Sequence, residues 1–119
     1  KKSYLDHIAS SIIDSQGVFK YVQIKLSCMG DSKVVVRGWN GLEYHKDNYM
    51  HFLETEKESL LNVDSEVLGG GRIKMDKGKK TAFVYGYSQA YGLCDHSLSC
   101  KLISEQFPEY KTSWSNDGY

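Results

Sequence analysis

Val18-Phe19-Lys20-Tyr21-Val22-Gln23-Ile24-Lys25-Leu26-Ser27 is the stretch that decides the fold. Val18, Val22, Ile24 and Leu26 recur at period two, which predicts a β-strand with one apolar face. The remaining position of that row is Lys20. A lysine there either snorkels out at the end of the strand or is held for a chemical task. Gly30-Asp31-Ser32 then turns the chain, and Lys33 to Trp39 reads as a second strand, giving a hairpin.

Beyond a break at Trp39-Asn40-Gly41, helical spacing starts near Asp47, with Tyr49, Met50, Leu53, Leu60 and Leu61 sharing a face. Val63 to Leu68 predicts a short strand, Gly69-Gly70-Gly71 a turn, and Arg72 to Asp76 another strand. Asp76-Lys77-Gly78-Lys79 is a tight turn into the β-prone segment Lys80 to Tyr87. A second helix is capped by Asp95, buries Leu98, Leu102, Ile103 and Phe107, and stops before Pro108. Tyr110 to Ser115 is the last strand, and Leu5, Ile8 and Ile12 form a short amphipathic turn or pack as an arm. The order predicts a single domain over residues 1–119, with residues 1–13 as an N-terminal arm. Its class is α/β (α+β-like): one mixed sheet of about six strands carrying two helices.

Fifteen basic and fifteen acidic residues cancel, which removes the basic footprint that nucleic acid or an anionic membrane requires. A bound anion must therefore be caught by local geometry. Cys28, Cys94 and Cys100 are odd in number and fit no disulfide framework, so a reducing compartment, the cytoplasm, is the expected location. No apolar run is long enough to span a bilayer as a helix, and no signal-peptide pattern is present.

Four histidines are available for chemistry: His7, His45, His51 and His96. His45 stands at the predicted strand-to-helix junction, in Glu43-Tyr44-His45-Lys46-Asp47, where a side chain can project over the sheet edge. Arg37, just upstream, could hold it or bind an anion. Gly86-Tyr87-Ser88-Gln89-Ala90-Tyr91-Gly92 joins a strand to a helix with glycine at both ends. Such a loop can aim several backbone N–H groups at one anion beside a helix N-terminus; equally, its glycines can serve only the turn. Other chemistries lack their residues. Gly78-Lys79 has neither the upstream glycine nor the Ser/Thr of a P-loop, and no arginine follows Cys94 as a thiolate phosphatase needs. His96 and Cys100 could share a metal but have no third ligand nearby, so no metal and no cofactor are expected.

Five segments together resemble the protein phosphohistidine phosphatases, the janus family. They are Gly17-Val18-Phe19-Lys20-Tyr21-Val22, Val36-Arg37-Gly38 with Glu43-Tyr44-His45, Leu68-Gly69-Gly70-Gly71-Arg72-Ile73, Val84 to Gly92, and Trp114-Ser115-Asn116-Asp117-Gly118-Tyr119. The resemblance runs from about Asp14 to the end, with departures at Asn48 and Trp39-Asn40-Gly41. It implies a metal-free hydrolase acting on phosphohistidine in partner proteins, and a monomer, with His45 catalytic as general base or nucleophile. It further implies that Lys20 lies near the substrate and that Arg37 orients the histidine. Tyr87, Ser88 and Ala90 would hold phosphate largely through backbone N–H groups. A non-catalytic phosphoprotein-binding module using the same anion site is the alternative.

Overall fold

The computed structural model describes residues 4–116. Six strands form one sheet: β1 (Ser11–Ile13), β2 (Gly17–Cys28), β3 (Asp31–Gly38), β4 (Asp64–Asp76), β5 (Thr81–Tyr85) and β6 (Lys111–Trp114), in the order β1-β3-β2-β4-β5-β6. Helix α1 (His45–Thr55) lies between β3 and β4, and α2 (His96–Gln106) between β5 and β6. The sheet is mixed, as expected: β1 runs parallel to β3 and β5 to β6, while the three central pairings are antiparallel.

The placement of the helices follows from strand direction. β3 and β4 each run antiparallel to β2, hence parallel to one another, whereas β5 and β6 run the opposite way. Both crossovers step in the same sense across the sheet. Right-handed connections then place α1 and α2 on opposite faces. β2 is therefore buried on both sides: Val22, Ile24 and Leu26 pack with Phe52 of α1, and Phe19 and Tyr21 pack on the side of Leu102 and Ile103 of α2.

Four sequence expectations change. Gly69-Gly70-Gly71 is not a turn but the middle of one continuous strand, β4, paired to Gln23, Val22 and Tyr21. The sixth strand is instead β1, from the segment expected to be an arm; Leu5 and Ile8, each 1% exposed, pack with Val22, Ile24 and Val35 of β2 and β3. Helix α1 begins at His45, two residues early, and ends at Thr55. Its buried anchor is Phe52, while Met50 and Leu61 are exposed. The second helix stands as expected, with Asp95 Oδ1 accepting from the Ser97 and Leu98 amides.

Arg37 illustrates how the core absorbs a charge. Strand alternation turns it under α1, fully buried, where Nε and Nη2 donate to the two Glu56 carboxylate oxygens at 2.8 and 3.0 Å. The guanidinium also stacks over Phe52, 5.1 Å from the ring centre. Removing one partner of a buried pair strands the other charge, at about 3–5 kcal/mol. Glu56→Ala should therefore lower unfolding free energy in urea by about 3 kcal/mol, while Arg37→Met with Glu56→Leu should recover most of it. A single variant as stable as wild type would show that the pair is not a core element.

Candidate functional site

His45 is the first residue of α1 and only 5% exposed. Its helix start is fixed by Asp47 Oδ2, which accepts from the Tyr44 amide at 3.0 Å. Asn48, fully buried, accepts from the Trp39 amide through Oδ1 and donates to the Tyr44 carbonyl through Nδ2. Asn48 thus ties the segment after β3 to the start of α1 and holds the helix entry. Asn40 adds bonds to Asp14 and Gln16.

From this position the imidazole rests against β4 at Gly70. Its Nε2 is 2.9 Å from the Gly71 carbonyl. A carbonyl only accepts, so Nε2 carries the proton and Nδ1 is left with the lone pair. The ring fits only because residue 70 is glycine: a Cβ there would lie 2.7 Å from His45 Cδ2 and 2.6 Å from the Tyr21 carbonyl. Burial pushes the His45 pKa below its ordinary value; the Gly71 bond opposes this, and the Lys20 and Arg72 charges reinforce it. The positive end of α1 acts in the same direction as those cations. His45 is accordingly a neutral base at pH 7.

A cavity of about 360 Å³ opens over this ring, lined by Lys20, Tyr44, His45, Lys46, Ser88, Gln89 and Ala90. Lys20 is no passive snorkeller. Its Nζ donates to the Glu43 carbonyl at 2.5 Å and sits 5.5 Å over the Tyr44 ring, bracing the loop before α1.

The glycine-bounded loop reaches the cavity by a different arrangement from the one expected. Ser88 and Gly92 exchange both amide bonds, and Gly92 also accepts from the Gly70 amide, pinning the loop to β4 beside His45. The Ser88 N–H is therefore spent, and its Oγ accepts from Tyr91 N–H at 3.0 Å. Gln89 and Ala90 line the cavity, and their amides, unlike that of Ser88, donate to no acceptor among the described residues. Tyr87 is 42% exposed and outside the lining. The helix N-terminus beside the cavity is that of α1, since Asp95 already caps α2. The Asp47 amide donates to the Tyr44 carbonyl, and the His45 and Lys46 amides ahead of it add to the positive potential there.

Arg37 does not join this group. Its fork is committed to Glu56 at the far end of α1, roughly 16 Å along the helix from His45. The charge that accompanies Lys20 is Arg72, its register partner on β4. Strand pairing was the missing signal: the sequence places Arg72 next to a presumed turn, whereas continuity of β4 brings it beside Lys20.

The opposite face carries a second buried imidazole. His96 donates from Nε2 to the Gly86 carbonyl at 2.7 Å, so its Nδ1 accepts from Tyr21 Oη at 2.6 Å. Tyr21 Oη lies 2.9 Å from Ser99 Oγ, which in turn accepts from Gln23 Nε2. This chain fixes Gly86, where the loop begins. Both His96 nitrogens are used and Cys100 donates to the Ser113 carbonyl, so this pair is structural. Among the described residues no cluster of three or more His, Cys, Asp or Glu side chains is grouped to hold a metal ion.

Because Ser88 Oγ is the only acceptor for Tyr91 N–H among the described residues, Ser88→Ala should accelerate amide exchange at Tyr91 about tenfold, the cost of one lost hydrogen bond. The Gly92 amide, held by the Ser88 carbonyl, should stay protected. Unchanged exchange at Tyr91 would mean that the hydroxyl does not shape the loop.

Comparison with known proteins agrees with this geometry. The Janus/Ocnus family model matches residues 5–111, so the likeness includes the N-terminal segment and starts well before Asp14. The 14 kDa phosphohistidine phosphatase of Sus scrofa is 43% identical over 115 residues, covering 90% of this chain and 89% of that protein. The human protein of the same name is 42% identical, covering 90% of each. The sex-regulated protein janus-A of Drosophila yakuba is 39% identical over 108 residues, covering 90% of this chain and 78% of its own. With its sheet, its His45–Gly71 contact and its loop in place, the chain belongs to the Janus/Ocnus family.

Proposed function

We propose that this protein is a phosphohistidine phosphatase, hydrolysing the P–N bond of phosphohistidine in partner proteins with His45 as general base. The observation that carries the reading is the bond from His45 Nε2–H to the Gly71 carbonyl, which presents a neutral Nδ1 at a cavity rich in anion-binding groups. Relatives named for this activity share over 40% of the sequence.

The phosphoryl group occupies the cavity, its oxygens facing the Gln89 and Ala90 amides, the Lys20 ammonium and the start of α1. Preorganised donors of this kind stabilise charge that builds up on phosphoryl oxygens in the transition state. Water attacks phosphorus in line with the leaving imidazole while Nδ1 of His45 takes its proton. The Gly71 carbonyl strengthens its hold on the ring as positive charge develops, much as an orienting acceptor does behind other catalytic histidines. The P–N bond breaks, the substrate nitrogen is protonated, and phosphate and histidine leave. His45 then releases its proton to solvent, and solvent supplies the proton taken up by the leaving nitrogen, so the protons balance and the base is regenerated neutral.

His45→Ala should cut kcat for release of phosphate from a phosphohistidine substrate by about 10²-fold or more, with phosphate affinity nearly unchanged. Full activity in that variant would end the enzymatic reading of His45. Tight retention of phosphohistidine with no turnover in wild type would favour a binding module. Since the His45 pKa lies below about 6.5, kcat/KM should hold from pH 8 to 7 and fall as acid protonates Nδ1. Lys20→Ala removes a cation that disfavours the imidazolium, so the acid limb should move to higher pH. Movement to lower pH would contradict the assignment of that charge.

A further inference from the structure

Among the described residues, the sheet face that carries Lys20 is only partly covered. Helix α1 lies over β2, β3 and the first half of β4, packing Phe52 against Val22, Ile24 and Leu26. Beyond it the register of β2, β4 and β5 sets out two rows on the same face. Lys20, Arg72 and Tyr85 form one, and Val18, Lys74 and Phe83 the next. The first row borders the cavity through Lys20. The second lies one pleat repeat further out, roughly 7 Å away.

That second row is unusual for a sheet surface. Val18 is 52% exposed and Phe83 37%, with Phe83 stacked on Tyr85 at 5.2 Å between ring centres. Neither helix crosses this part of the face. The charges on the two rows are all positive: Lys20, Arg72 and Lys74. The next charged position along this face of β4 is Asp76, whose Oδ1 accepts from the Lys79 amide, while at the Lys20 end the Glu43 carboxylate is engaged by the Tyr44 hydroxyl. In a chain with no net charge, three cations interleaved with exposed apolar side chains are a local device.

We propose that this face docks the polypeptide bearing the phosphohistidine, and that it selects substrates with acidic residues flanking that histidine. The inference rests on the phosphatase reading. Its argument is continuity and charge: a phosphohistidine on a protein cannot reach the cavity without its neighbours lying against the rim, and one side of that rim is this apolar, cationic sheet. The apolar row supplies contact area and the cations supply choice of partner.

The test compares wild type, Lys74→Glu and Phe83→Ser on three substrates. These are a fifteen-residue peptide with one phosphohistidine and acidic flanks, the same peptide with lysine flanks, and phosphoramidate, which has no polypeptide. Both variants should raise KM for the acidic peptide by about five- to tenfold, with kcat within about twofold and phosphoramidate kinetics unchanged. Lys74→Glu should also reverse the preference between the two peptides. The proposal is overturned if Lys74→Glu leaves KM for the acidic peptide within about twofold of wild type, or if phosphoramidate turnover falls in parallel. Lys74 is exposed, so that variant reports even if Phe83→Ser is poorly folded. Should wild type hydrolyse none of the three, the activity fails, and anisotropy with the unphosphorylated acidic peptide still decides the docking face by the same variants. A concentration-dependent dimer dissolved by Phe83→Ser would make the face a self-contact and overturn it too.

Discussion

The hydrogen bond from His45 to the Gly71 carbonyl joins the rigid centre of the sheet to the cavity that it serves. A histidine alone is free to rotate and to exchange its proton between two nitrogens. One bond to a strand carbonyl removes both freedoms. It demands that the ring rest against the strand, and this is why β4 carries glycine where a strand would ordinarily carry a β-branched residue. At Gly70 the ring of His45 fills the space of a side chain; at Gly71, on the other face, the ring of His96 does so, 2.7 Å from where a Cβ would stand. Glycine weakens a strand by its entropy. Here two imidazoles occupy the room that it leaves.

The two histidines act on the two ends of one site. His45 borders the cavity, and His96 holds Gly86, from which the loop carrying Gln89 and Ala90 departs. The Gly92 carbonyl completes the connection by accepting from both Gly70 and Ser88. Base and anion-binding loop are thus referenced to the same few residues of β4. Such shared anchoring is what keeps reacting groups within the narrow tolerances that preorganised catalysis needs.

Much of the fold was legible because it depends on local signals. The period-two row of β2, the cap at Asp95 and the stop before Pro108 each act within a few residues. What was hidden depended on long-range pairing. Gly69-Gly70-Gly71 has the composition of a turn, and only its pairing with β2 and its proximity to two imidazoles reveal a strand. The short β1 is a strand solely because β3 accepts it, and Phe52 is a core residue because the buried face of α1 runs through His45 and Asn48, polar residues that the apolar spacing does not register. For the site, the sequence indicated His45, Lys20 and the loop, since a cation in an apolar row and a glycine-bounded βα loop are locally anomalous. It gave the wrong partner for the histidine. Arg37 is near His45 in sequence, but strand alternation directs it to Glu56, while Arg72 arrives beside Lys20 through register. Likewise the Ser88 amide, unremarkable in sequence, is consumed by Gly92, leaving Gln89 and Ala90 to face the cavity.

The central claim is that His45 is held neutral with its proton on Nε2. Long-range proton–nitrogen correlation NMR of the imidazoles, recorded from pH 5 to 8, reads this directly. The account predicts that at pH 7 His45 shows the Nε2–H tautomer, with Nδ1 unprotonated, and that it becomes imidazolium only below about pH 6.5. An Nδ1–H tautomer, or an imidazolium already formed at pH 7, would contradict it.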